Sequence, residues 1–72
     1  MKIELGQFYL HGETVYIFTR ETKDSFRGTA FQNSRAYAVG IDKRKEIPHF
    51  IPIDPSIAKM VQPIQAIDTG LV

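Results

Sequence analysis

A chain of 72 residues with nine basic and eight acidic side chains, no cysteine and a net charge of +1 is narrowly bounded before any motif is read. So short a chain buries only about 60% of the surface it exposes when unfolded, which leaves room for one domain, residues 1–72, with a small core. Without thiols it has neither a disulfide framework nor a thiolate metal site, so tight β closure or self-association must do the stapling.

The charge is unevenly spread. Residues 20–46 carry seven bases against four acids, a mild basic bias well short of the dense stripe that marks a nucleic-acid binder by charge alone. No apolar run approaches the length of a membrane span, and the residues from Met1 to Gly6 lack a signal-like apolar region. A soluble cytoplasmic protein without a membrane partner is expected.

In chain order, Gln7-Phe8-Tyr9-Leu10-His11 reads as a short strand running into Gly12-Glu13. Glycine at the first position of a two-residue loop fits a type II′ hairpin, because that position needs a positive φ. The turn sets Leu10 opposite Val15, Tyr9 opposite Tyr16, Phe8 opposite Ile17 and Gln7 opposite Phe18. Phe8, Leu10, Val15 and Ile17 then share an aliphatic face, and Tyr9, Tyr16 and Phe18 share an aromatic one. The second strand, Thr14 to Arg20, is β-branched or aromatic at nearly every position and apolar through its middle, the pattern of a central strand covered on both sides.

Thr22-Lys23-Asp24-Ser25 is a polar four-residue loop, and a regular ladder beyond it puts Ile17 opposite Ala30 and Tyr16 opposite Phe31. Tyr9, Tyr16 and Phe31 become a row across three strands. Asn33-Ser34 is a two-residue turn, since asparagine tolerates left-handed geometry, and a fourth strand follows from Arg35 to Asp42. Its alternation assigns Tyr37, Val39 and Ile41 to the aliphatic face and Ala36, Ala38 and Gly40 to the aromatic one. Gly28 and Gly40 are the candidate bulge or bend positions.

Asp42-Lys43-Arg44-Lys45-Glu46 reads as a solvated hairpin tip. Ile47 to Ile53 is apolar, but Pro48 and Pro52 remove two ladder donors, so an edge strand or an irregular crossing segment is expected there. Asp54 is placed to cap a short helix with Pro55 at its first position, and Ile57, Met60, Val61 and Ile64 fall at the spacing of one apolar stripe, although Pro63 stops the helix before Ile64. Ile64 to Ile67 is a candidate closing strand, with Asp68-Thr69-Gly70 turning into the end of the chain. The whole is mainly β, a small antiparallel meander curling into an SH3-like β-barrel with one short C-terminal helix.

Catalytic motifs are missing. There is no G-x-S-x-G elbow, phosphate-binding glycine loop or cysteine nucleophile, and neither His11 nor His49 sits at a metal-ligand spacing. The expectation is a non-enzymatic module with no cofactor and no metal. Its candidate partner-binding residues are Tyr9, Tyr16, Phe18 and Phe31, with Arg20, Arg27 and Arg35 at the margin. A one-residue slip in register would exchange the two faces, so the same rings are equally the material of a core. Tyrosine and arginine are frequent interface anchors, which favours a protein partner or a second copy. Rings interleaved with arginines also suit single-stranded nucleic acid, the alternative partner.

Overall fold

The computed structural model describes residues 2–62, so the helix stop at Pro63, the candidate strand Ile64 to Ile67 and the turn at Asp68-Thr69-Gly70 lie outside the described residues. Five strands, β1 (Phe8–His11), β2 (Thr14–Glu21), β3 (Ser25–Gln32), β4 (Arg35–Asp42) and β5 (Ile51–Ile53), precede one helix, α1 (Pro55–Val61). They form one antiparallel sheet in the order β4-β3-β2-β1-β5. The expected mainly β meander with a short helix is therefore present. Among the described residues the sheet is not closed into a barrel, because β4 and β5 lie at opposite edges and do not pair.

The hairpin turns follow their local chemistry. Gly12 has φ 64° at the first loop position, and β1 pairs with β2 in the expected register, Phe8 with Ile17, Tyr9 with Tyr16 and Leu10 with Val15. Gln7 falls just short of β1; beside it, the Gly6 amide donates to the Phe18 carbonyl over 2.8 Å. Asn33 and Ser34 both take positive φ, 53° and 63°, the type I′ geometry whose twist matches the flanking strands. At the intervening loop Thr22 accepts the Ser25 amide at 3.0 Å through its hydroxyl, and Glu21 pairs with Phe26 as a four-residue connection requires.

The regular ladder expected between β2 and β3 is interrupted. Arg20 pairs with Arg27, but Phe18 pairs with Gly28, so Thr19 is an extra, unpaired residue. From there Tyr16 lies opposite Ala30 and Val15 opposite Phe31, one residue away from the expected register. Because the side-chain period is two, that single bulge exchanges the faces of all that follows. Phe31 joins Phe8, Val15 and Ile17 instead of the tyrosines, while Val39 and Ile41 pack with the aromatic cluster. Gly28 makes the close approach at the bulge feasible: a Cβ there would stand 2.6 Å from the Phe18 Cα and closer still to the Ile17 carbonyl oxygen.

Both faces of β2 are covered at its apolar middle, as that pattern predicts. On one side α1 lies against β1 through Ala58, which is buried among Phe8, Val15, Ile17 and Phe31. The expected stripe is corrected here: Ile57, Met60 and Val61 are exposed, since an alanine lets a two-turn helix approach the sheet more closely than branched residues would. Asp54 occupies the N-cap position without a side-chain capping bond, and the Gln62 side chain ties the helix end to the Glu13 carbonyl at 2.7 Å. On the other side, the charged turn after β4 is not a hairpin tip. It starts a crossing segment that carries Ile47 and Phe50 over the aromatic face and delivers β5 to the far edge beside β1. The prolines agree with that path, Pro52 sitting in a three-residue edge strand.

Candidate functional site

The candidate residues divide into three groups. Tyr9 and Phe18 are buried in the aromatic cluster with Ile3, Phe26 and Phe50, and Phe31 is buried on the helix side. No partner reaches these three rings while the fold is intact. The Tyr9 hydroxyl also takes part in the fold, accepting the Glu4 amide at 2.8 Å.

Phe50 is the residue that closes the aromatic face. Its ring stands 5.0 Å from Tyr16, 5.6 Å from Phe18, 6.0 Å from Tyr9 and 5.7 Å from His11, mostly edge to face, the arrangement ring quadrupoles favour. Sequence reasoning gave this phenylalanine no role, because nothing local in a proline-flanked segment states which sheet face the segment crosses.

A second group remains accessible at the β4 end of the same face. Tyr16 is half-buried, and Tyr37, which pairs with Ala30 next to it, is 44% exposed. Burial raises the Tyr16 phenol above its ordinary value, the neighbouring Tyr37 adds to the rise, and a hydrogen bond involving Thr14 offsets part of it. The Tyr37 hydroxyl donates to the Gln32 side chain over 3.2 Å, and Arg35, exposed and two residues before Tyr37, shares its face by alternation. Two tyrosines and an arginine thus cluster where β4 meets solvent. Tyr37 was missed by sequence because the bulge at Thr19 moved it from one face to the other.

The third group, Arg20 and Arg27, sits on the helix side. They are cross-strand partners, both exposed, lining an open depression of about 470 Å³ with Thr19, Gly28, Thr29, Ala38 and Val39. Tyr9, Tyr16 and Phe18 and this arginine pair are therefore on opposite sides of the sheet.

Among the described residues no strand pairs with the outer side of β4. A two-residue turn makes Gln32 and Arg35 a hydrogen-bonded pair, so Arg35, Tyr37, Val39 and Ile41 bond to β3. The N–H and C=O groups of Ala36, Ala38 and Gly40 then point away from the sheet, whereas the Asp42 carbonyl accepts the Lys45 amide at 3.2 Å. Over these eight residues there is no proline, lysine or bulge, and charge occurs only at the two ends. The opposite edge, β5, is three residues long and has a proline at its centre.

Among the described residues no three histidine, aspartate or glutamate side chains converge as a metal site, and no helix is long and apolar enough to cross a membrane. Compared with known proteins, the chain matches no family model, no curated protein and no solved structure.

Proposed function

We propose that this chain is a non-enzymatic binding module acting through protein–protein contacts, and that its docking element is the free edge of β4 with Tyr37 and Arg35 as anchors, Tyr16 behind them. One observation carries the reading: among the described residues, an eight-residue strand, apolar between its ends, has no strand on its outer side and none of the devices that normally blunt such an edge. The partner that fits most directly is a second copy. Two β4 strands related by a twofold axis at Ala38 would exchange about six main-chain hydrogen bonds. That register sets Tyr37 opposite Val39 of the second copy and Arg35 opposite its Ile41, with no like charges facing each other.

The finer architectural reading, a partly open SH3-like barrel, belongs with this proposal. The strand order and the bulge that bends the long β2 support a meander curling toward closure. Single-stranded nucleic acid is the less supported partner, since base stacking and phosphate contacts need rings and arginines on one surface. Here only Arg35 of the three candidate arginines shares a surface with Tyr16 and Tyr37, while Arg20 and Arg27 lie across the sheet.

Sedimentation at several concentrations tests the proposal, with the expectation of a concentration-dependent monomer–dimer equilibrium. Ala38→Pro removes an outward-pointing N–H without removing a β3–β4 bond, so it is expected to yield a folded monomer. Ala36→Lys places a charge beside the same edge and is expected to weaken association as well. A wild-type protein that stays monomeric at every concentration, or an Ala38→Pro variant that dimerises unchanged, refutes self-association through this edge.

A further inference from the structure

We infer that Arg20 and Arg27 form a binding site for a phosphate-class dianion on the helix side of the sheet, independent of the β4 edge. The first reason is electrostatic. Like charges directly opposite on neighbouring strands destabilise a sheet, yet here two arginines are cross-strand partners at the register step of a bulge and line one depression. The acids that could relieve them are engaged elsewhere or stand apart. Lys43 holds Glu21 and Arg44 holds Asp42, while neither Arg20 nor Arg27 has a carboxylate within ion-pair distance among the described residues. Asp24 lines a neighbouring depression that Arg27 also borders, without forming such a pair.

The second reason is shape. Among the described residues α1 covers only the β1 end of this side, and the stretch over β3 and β4 carries the open depression of about 470 Å³, within the size range of small-ligand sites. Gly28 and Ala38 keep its floor low, and the hydroxyls of Thr19 and Thr29 add neutral donors to the two cationic forks. Guanidinium groups bind oxyanions through paired N–H donors, and two side by side match a double negative charge better than the single charge of a carboxylate. A phosphate or phosphomonoester answers the whole arrangement: two forks for its oxygens, hydroxyls beside them and a small apolar floor for an ester group. Arg35 does not belong to this site, because it lies on the other side of the sheet.

Titrating the full chain with inorganic phosphate, with chloride keeping the ionic strength constant, reads the site through arginine Nε and backbone amide NMR shifts. Saturable shifts confined to Arg20, Arg27, Thr19, Gly28 and Thr29 are expected, with a dissociation constant on the order of millimolar. Arg27→Gln should weaken binding at least tenfold and, in the absence of phosphate, melt no lower than wild type, because it relieves the repulsion. Arg20→Gln should do the same, so a folding defect in one variant leaves the other to decide. Arg35→Gln should bind phosphate as wild type does. Glycerol phosphate identifies the source: tighter binding than inorganic phosphate points to an esterified ligand, and equal binding to the free ion. Shifts that grow linearly without saturation, or spread evenly over all basic residues, overturn the inference. So does equal loss in Arg35→Gln. An oligonucleotide that displaces phosphate at equal phosphate concentration, in a manner lost steeply with salt, would overturn the small-ligand assignment.

Discussion

Replacing Phe50 by alanine tests whether the crossing segment is what closes the aromatic face. The ring is 1% exposed and contacts four others at centroid separations of 5.0 to 6.0 Å. Truncating a fully buried phenylalanine costs about 3–5 kcal/mol, and aromatic pairs add roughly 0.5–1.5 kcal/mol each beyond area burial, which places this site toward the upper end. A domain of this length is stable by about 4–11 kcal/mol, so the substitution removes at least about a third of the total. At about 4–8 °C per kcal/mol, the melting temperature should fall by about 12–40 °C. Urea denaturation followed by far- and near-ultraviolet circular dichroism measures the loss. Phe50→Leu keeps most of the volume and supplies a folded variant, with an expected cost of about 1–2 kcal/mol, should the alanine variant fail to fold. Met60→Ala, at a residue 84% exposed, is the control and should stay within about 0.5 kcal/mol of wild type. A Phe50→Ala variant that loses less than about 1 kcal/mol with an unchanged denaturant slope would refute the reasoning, since the crossing segment would then contribute little to the core.

Gly28→Ala should cost more than about 2 kcal/mol or prevent folding, because its Cβ collides with the β2 backbone, whereas Gly40→Ala, whose nearest neighbour to a Cβ is 3.9 Å away, should be neutral or stabilising by up to about 1 kcal/mol. Equal effects in thermal melts would show that the bulge does not bring β2 and β3 together as described. Ser34→Gly should stabilise the protein by about 1 kcal/mol, since φ 63° strains a serine and not a glycine; a lower melting temperature would argue against the type I′ turn. The raised Tyr16 phenol gives a pH dependence of definite sign. The folded chain holds that proton more tightly than the unfolded one, so its contribution is fully present below a pH of about 10 and is lost as the pH rises through the native value. Urea midpoints should therefore fall more steeply in alkali for wild type than for Tyr16→Phe, and identical slopes would contradict the burial.

Local chemistry was enough for the hairpins. Gly12 and the Asn33-Ser34 pair each restrict the backbone at a turn, and a turn of known length sets the register next to it, so β1 to β4 and the start of α1 at Pro55 follow from nearby residues. The coverage of β2 on both faces was legible for the same reason: an uninterrupted apolar strand has to be buried twice. What tertiary structure alone decided begins at Thr19. One extra residue in the ladder costs little locally and has no local signature beyond a glycine on the neighbouring strand. It nevertheless reverses the faces of Phe31, Tyr37, Val39 and Ile41, because strand side chains alternate with a period of two. The path of residues 43–50 was equally invisible. A segment broken by prolines has no ladder to obey, so it goes where Phe50 gains most burial, over the rings of Tyr9, Tyr16 and Phe18. That choice turns much of an expected binding surface into core and, among the described residues, leaves the β4 edge and the Arg20–Arg27 pair exposed.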